Sequence, residues 1–328
     1  LLDGLRGVAA FMVLWYHIFE AHASSPIDQV VNHGYLMVDF FFVLSGFVIS
    51  YAYNDRWKTL SIGTFLKRRL IRLHPMVIFG ALLGSILFYW QGCEAWDVSK
   101  VPFLALLLAT IFNILMIPMA PTTEVRGIGE MYPLNGPTWS LFFEYLVNLL
   151  YAFVLRLLST RVLAILVGVF AVGLATLAIA GGEGYIGYGW SMTSIGTLGG
   201  SLRVLFSFSM GLLLARIFKP KAVKHIFWWS SLLLIVIALM PRIGGSEYLW
   251  ANGIFDIFCV VLIFPMIVYF AASNVSKEAF TDKLCKYLGD LSYPLYMIHY
   301  PFIYAYYAWV KNNNYTFPDS FYGALLVV

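Results

Sequence analysis

The chain has 328 residues, 61% of them hydrophobic and only 12% charged, with a net charge of +4 and a mean hydropathy of +0.80. Soluble domains carry about 25% charged residues, so this composition excludes a soluble globular protein and any exposed basic domain for nucleic acid. Cys93, Cys259 and Cys285 are isolated, with no CxxC pair, so neither a metal centre nor a disulfide framework is expected.

Eleven hydrophobic segments follow one another, at roughly 5–22, 34–53, 75–92, 101–118, 137–158, 162–181, 198–218, 225–240, 253–272, 291–310 and from 319 onward. The first, LLDGLRGVAAFMVLWYHIFEA, is too long and too charged for a signal peptide. It carries Asp3, Arg6 and His17, and ionisable groups are expensive in hydrocarbon, so each marks a functional site by default. Arg6 and His17 are eleven residues apart, which places them nearly on one helix face, about 16 Å apart along its axis. The second segment, HGYLMVDFFFVLSGFVIS, holds Asp39 as a lone carboxylate, which needs a partner or a raised pKa. Its Ser45-Gly46 step reads as close helix packing.

Lys and Arg in short loops mark the cytoplasmic side. The 54–74 connection holds Arg56, Lys58, Lys67, Arg68, Arg69 and Arg72, whereas 23–33 holds none, so the first helix starts in the cytoplasm. Arg156 and Arg161, Arg216 to Lys224, and Lys277 to Lys286 read as cytoplasmic too. These two halves agree only if an odd number of crossings lies between 75 and 136, where two apolar segments stand. One of them, 101–118, is therefore expected to be re-entrant. The expected fold is all-α: a polytopic membrane bundle of about ten transmembrane helices plus that segment. Both termini are expected in the cytoplasm. The chain begins without Met and stops inside YGALLVV, so residues 1–328 read as a single membrane domain trimmed at both ends.

This orientation puts His17, Asp39 and Glu144 five to seven residues below the outer ends of their helices, roughly 7–11 Å deep. An imidazole and two carboxylates at one depth suit an acid–base site that opens outward. In FLKRRLIRLHP, Arg68 and Arg72 are four apart and Arg69 and Arg72 three apart, so a helix offers adjacent guanidinium forks. Such forks bind phosphate bidentately, and the same cluster would also meet anionic lipid headgroups. NGPTWSLFFEYL starts a helix with Pro137 and sets Trp139 at interface depth before Glu144. LGDLSYPLYMIHYPF places His299 near mid-membrane, where it reads as a satisfied core histidine. Arg203 and Asp256 lie near outer helix ends and read as a structural pair, and His22, His33, His74 and His225 are assigned no chemistry.

Five ordered motifs, LDGLRGVAAFMVLWYH (2–17), VDFFFVLSGFVIS (38–50), FLKRRLIRLHP (65–75), TWSLFFE (138–144) and LGDLSYPLYMIHYP (288–301), resemble the acyltransferase-3 family of bacterial membrane O-acyltransferases. The family's Arg-x10-His motif maps onto Arg6 and His17, and its Arg-x-x-Arg motif onto Arg69 and Arg72. Where the family often has Trp-Ser-Leu-Ser-x-Glu-Glu, this chain has Tyr145 after Glu144, so the second acid has no counterpart. The resemblance implies an enzyme of the bacterial plasma membrane, with no permanently bound cofactor and with acyl-CoA (acetyl-CoA) as co-substrate. The acceptor would be a hydroxyl of an outward-facing glycan or lipid-linked sugar. Arg69, Arg72 and neighbouring Arg68 would hold the CoA phosphates, with Arg6 at the entrance. His17 would act as general base, oriented by Asp39 or Glu144. Asp3, Trp139, Ser140 and His299 would line the site. A proton-coupled transporter could use the same buried His and carboxylates, and a receptor or scaffold would use the Arg cluster only for topology.

Overall fold

The computed structural model describes residues 1–181, 183–273 and 278–328, and Lys277, counted above among the cytoplasmic basic residues, lies outside them. The described residues form α-helices and no strand beyond two isolated bridges. In chain order these are α1 (Leu2–Glu20), α2 (Met37–Tyr53), α3 (Ile62–Leu87), α4 (Phe103–Ile114), α5 (Thr138–Phe153), α6 (Thr160–Ala180) and α7 (Ser194–Ile217). They continue with α8 (Ile226–Leu239), α9 (Leu249–Phe258), α10 (Phe264–Ala272), α11 (Ala279–Asn313) and α12 (Phe317–Val327). A π-helical turn, Cys259–Ile263, fuses α9 and α10 into one rod.

Long apolar runs make these helices, and small polar residues start them. Ser61, Ser159 and Thr193 each accept a backbone N–H of the first turn, and Thr316 and Asp319 form a capping box. Six helical segments combine at least 18 residues with the apolarity of a membrane span. Their surroundings differ: α6 is 22% buried over its apolar window, whereas the window containing α2 is 72% buried. On α6, Ile165, Val169 and Val172 therefore face outward as a lipid-facing wall, and α2 lies in the core. α1 and α11 are as long but carry the charged residues of the site, while α8 and α12 are shorter, at 14 and 11 residues.

Two close pairs organise the core. α1 and α11 run side by side in the same direction, with Gly4 against Cys285, Gly7 against the Leu288 carbonyl and His17 against Tyr300. α2 and α7 also run together, and a Cβ at Gly46 or Gly211 would collide with the facing backbone. Gly46 of the Ser45-Gly46 step is thus a packing device, while Ser45 faces the cleft.

α4 has twelve residues and rises only about 18 Å, short of the ~30 Å hydrocarbon core. It stops where Met116 adopts φ 58°, and Tyr132 donates its hydroxyl to the Met116 carbonyl. Met119 N then bonds Met131 O, Leu134 lies over Gly84 of α3, and Gly136 meets Tyr300 of α11. The chain between α3 and α5 therefore leaves and returns at one end of the bundle. Arg56, Lys58, Arg156 and Lys219 to Lys224 gather at the opposite end, where Arg156 lies over Trp57 and Arg216 bonds the Leu155 and Leu158 carbonyls. The two ends are called here the basic end and the His17 end.

Candidate active site

A cleft of ≈ 160 Å³ opens toward the basic end between α1, α2, α3, α5 and α11. Three guanidinium groups line it: Arg6, Arg69 and Arg72. Arg6 is held by α11, donating from Nε to Ser292 Oγ (2.7 Å) and from Nη2 to the Gly289 carbonyl (3.0 Å), and it pairs with Asp3 at 3.1 Å. Arg69 donates from Nη2 to Glu144 Oε1 (2.8 Å), and its Nε is buried without a partner. The same Glu144 oxygen also accepts from Ser45 Oγ (2.5 Å) and Asn148 Nδ2 (3.1 Å). Arg72 is exposed on the cleft wall. Three cations and one carboxylate leave the cleft positive, and forked guanidinium groups suit phosphate oxygens.

Toward the interior the cleft ends on Ser140 and Tyr296, whose hydroxyls are 2.8 Å apart. The Tyr296 ring in turn lies 6.0 Å from the His299 ring, and His299 lies 5.5 Å from His17. Tyr296 is therefore the partition between the cleft and a second group of polar side chains at the His17 end. There His17 Nδ1 is 2.6 Å from Glu20 Oε2, and the edge of Tyr300 packs on the His17 ring at 4.7 Å. His299 Nδ1 donates to the Leu295 carbonyl at 3.0 Å, one turn back on α11. Glu130, on the connection between α4 and α5, accepts from Tyr304 and, at 3.4 Å, from Tyr300. Burial raises the Glu130 carboxyl to about 7, against the lowering by Tyr304 and Arg126.

The family described as an acyltransferase domain matches over residues 1–328, the whole chain. The chain belongs to the acyltransferase-3 family. It is 33% identical over 165 residues to protein 2 in the picA locus of Rhizobium radiobacter, covering 46% of this chain and 80% of that one. To the peptidoglycan O-acetyltransferase OatA of Listeria monocytogenes it is 25% identical over 323 residues, 92% of this chain and 49% of the relative. To the O-acetyltransferase OatA of Staphylococcus aureus it is 28% identical over 319 residues, 92% of this chain and 50% of the relative. The chain thus spans about half the length of these two curated relatives. No solved structure matches it. Membership of the acyltransferase-3 family makes this a membrane O-acyltransferase.

Within this acyltransferase the expected site residues divide into three places. Arg6, Arg69, Arg72, Ser140 and Glu144 line the basic-end cleft, while Asp3, paired with Arg6, and the exposed Arg68 lie outside its lining. His17 and His299 form the second place. Asp39 and Trp139 form a third: Asp39 is bound by Arg203 through Nη2 at 2.6 Å and Nε at 3.2 Å, with both side chains buried and Arg203 over the Trp139 ring. Nη1 donates to the Tyr188 carbonyl and Nη2 also to the Tyr35 carbonyl, so every Arg203 nitrogen has a partner within this node.

Two expectations are corrected by this geometry. Neither Asp39 nor Glu144 orients His17; the first is taken by Arg203 and the second by Arg69, and Glu20 stands beside the imidazole. Glu144 lies in the cleft with Arg6 and Arg69 and not at the level of His17, which sits beside His299 and Tyr300 farther along α11. Arg203 also does not pair with Asp256, whose oxygens face Tyr35, the Ile186 amide and His33. Glu20 carried a signal in the sequence, since i and i+3 share a helix face. Tyr296 carried the same i,i+3 signal toward His299 on α11, whereas Glu130 carried none, because tertiary packing alone brings it to Tyr300 and Tyr304.

Proposed function

We propose that the chain transfers an acyl group, acetyl in the first instance, from acyl-CoA held in the basic-end cleft to a carbohydrate hydroxyl presented at the His17 end. The observation that carries this reading is that the three-arginine cleft ends on Tyr296, whose ring is 6.0 Å from His299, itself 5.5 Å from His17 of the His17–Glu20 pair. The O-acetyltransferase relatives support an acetyl group and a glycan acceptor. The basic end is assigned to the cytoplasm of a bacterial plasma membrane, with both termini directed there, because Lys and Arg are retained on that side.

Arg6, Arg69 and Arg72 hold the donor phosphates, and the acyl arm extends along α1 past Tyr296 and Ser140. Arg6 and His17 are eleven residues apart, so the arm spans about 16 Å. Glu20 accepts the Nδ1 proton of His17, which leaves Nε2 as the base. His17 Nε2 takes the proton of the acceptor hydroxyl as its oxygen attacks the thioester carbonyl. The carbon–sulfur bond then breaks, and the thiolate recovers the proton to leave as thiol.

The test uses protein purified into lipid nanodiscs, with acetyl-labelled acetyl-CoA and cell-wall glycan fragments. The expected result is label in an alkali-labile ester on carbohydrate. Label that never leaves the thioester with any carbohydrate offered would contradict the reading.

A further inference from the structure

Both histidines at the His17 end have their tautomer set by a hydrogen bond on the same atom. His17 Nδ1 faces the Glu20 carboxylate at 2.6 Å, and His299 Nδ1 faces the Leu295 carbonyl at 3.0 Å. Each partner is an acceptor, so each Nδ1 carries the hydrogen and each Nε2 presents a lone pair. The rings are 5.5 Å apart and tilted by 31°. His299 is 2% exposed, and its Nε2 is buried without a hydrogen-bond partner. Leaving a buried acceptor unpaired is costly, and native proteins rarely do so without a reason.

Neighbouring side chains do not fill that need. The Tyr296 hydroxyl is engaged with Ser140, and the Tyr300 and Tyr304 hydroxyls point to Glu130. Among the described residues, no side chain donates to His299 Nε2. The His17 ring, 5.5 Å away, gains an N–H at Nε2 on protonation.

We infer that His299 is the proton-sharing partner of His17, a positioning residue that accepts a hydrogen bond from the His17 imidazolium formed during acyl transfer. The inference rests on the reading of His17 as general base. The hydroxyl proton moves to His17 Nε2, the new oxygen–carbon bond forms and the carbon–sulfur bond breaks. The His17–His299 pair holds that proton until it passes to the departing thiolate. Both imidazoles are then neutral again, and no other reactant is needed.

The charged and titratable groups facing the pair are Tyr16 and Glu20 on α1, Tyr296 and Tyr300 on α11, and Glu130 behind Tyr300. Farther out stand Arg126, over Tyr304, and the Tyr35–Arg242–Asp256 group beyond Tyr16. All of them remain in the variants below. Loss of the accepting lone pair therefore removes one stabilising contact from protonated His17, and the imidazolium becomes easier to deprotonate.

The experiment compares wild type, His299→Phe, His299→Gln and His17→Ala in nanodiscs, measuring acetyl-CoA turnover against pH and acetyl-CoA binding. In His299→Phe, kcat should fall at least tenfold with donor affinity unchanged, and the acidic limb of kcat should move down by about one pH unit, a tenfold change in proton affinity. His299→Gln keeps an acceptor oxygen, so its limb should stay near that of wild type. If His299→Phe binds donor normally and its kcat and acidic limb match wild type, the inference fails. If both variants bind donor but lose turnover with no movement of either limb, it fails as well, because a packing role would do that. The His17→Ala control separates the two claims: turnover that survives there overturns the general-base reading itself.

Discussion

Among the described residues of the cleft, Arg72 makes no ion pair, whereas Arg6 has Asp3 and Arg69 has Glu144. An unpaired, exposed guanidinium is the one best placed to meet a donor phosphate without first giving up a partner. Arg72→Ala should therefore weaken acetyl-CoA binding about tenfold or more, and binding of a short acetyl thioester lacking the nucleotide hardly at all. Arg72→Lys should recover only part of the loss, since an ammonium cannot form the bidentate fork. Calorimetry with the two donors checks this, and equal losses for both would assign Arg72 to lipid headgroups instead. Asp39 behaves differently, because it and Arg203 are almost fully buried and satisfy each other. Asp39→Ala leaves the guanidinium uncompensated and should cost about 3–5 kcal/mol of stability, read as a lowered unfolding midpoint. The fraction that remains folded should still turn over acetyl-CoA, which separates Asp39 from the chemistry that its depth had suggested. His17 and Arg6 were legible from sequence because both lie on one helix face, whose geometry is local. The partners of Asp39 and Glu144 were not, since Arg203 and Arg69 reach them only through the packing of separate helices.

At the scale of elements, α4 is the helix on which the expected side of α5 depends. The distribution of Lys and Arg made this legible, since the charges on either side of residues 75–136 demand an odd number of crossings. The turn at Met116 and the return of 115–137 over α3 supply the structural reason. Ser99, before α4, and Thr123, after it, are both exposed, as is Ala222 at the basic end. After replacement of Cys93, Cys259 and Cys285, single cysteines at these positions can be labelled in intact cells with an impermeant thiol reagent. Cysteines at 99 and 123 should label together and the one at 222 should not. Labelling at 99 and 222 but not at 123 would make α4 a full crossing. The short lengths of α8 and α12, 14 and 11 residues, were not legible, because apolar composition alone does not show where a helix stops.

Across the whole molecule, two chemically different sites share one bundle: a cationic cleft at the basic end and a histidine–carboxylate pair near the opposite end. α1 and α11 join them, running in the same direction and carrying Arg6, Ser292, Tyr296, His299 and His17 in ascending order between the two ends. Division of labour along that axis is the central claim: donor affinity belongs to the lower site and the chemical step to the upper one. The most direct test is His17→Ala in nanodiscs, with acetyl-CoA affinity and turnover measured on the same sample. Affinity should remain within about twofold of wild type while kcat falls by roughly 10²–10⁴-fold, the range for loss of a general base. Near-normal turnover in this variant, or a loss of donor affinity that accounts for the whole defect, would contradict the account.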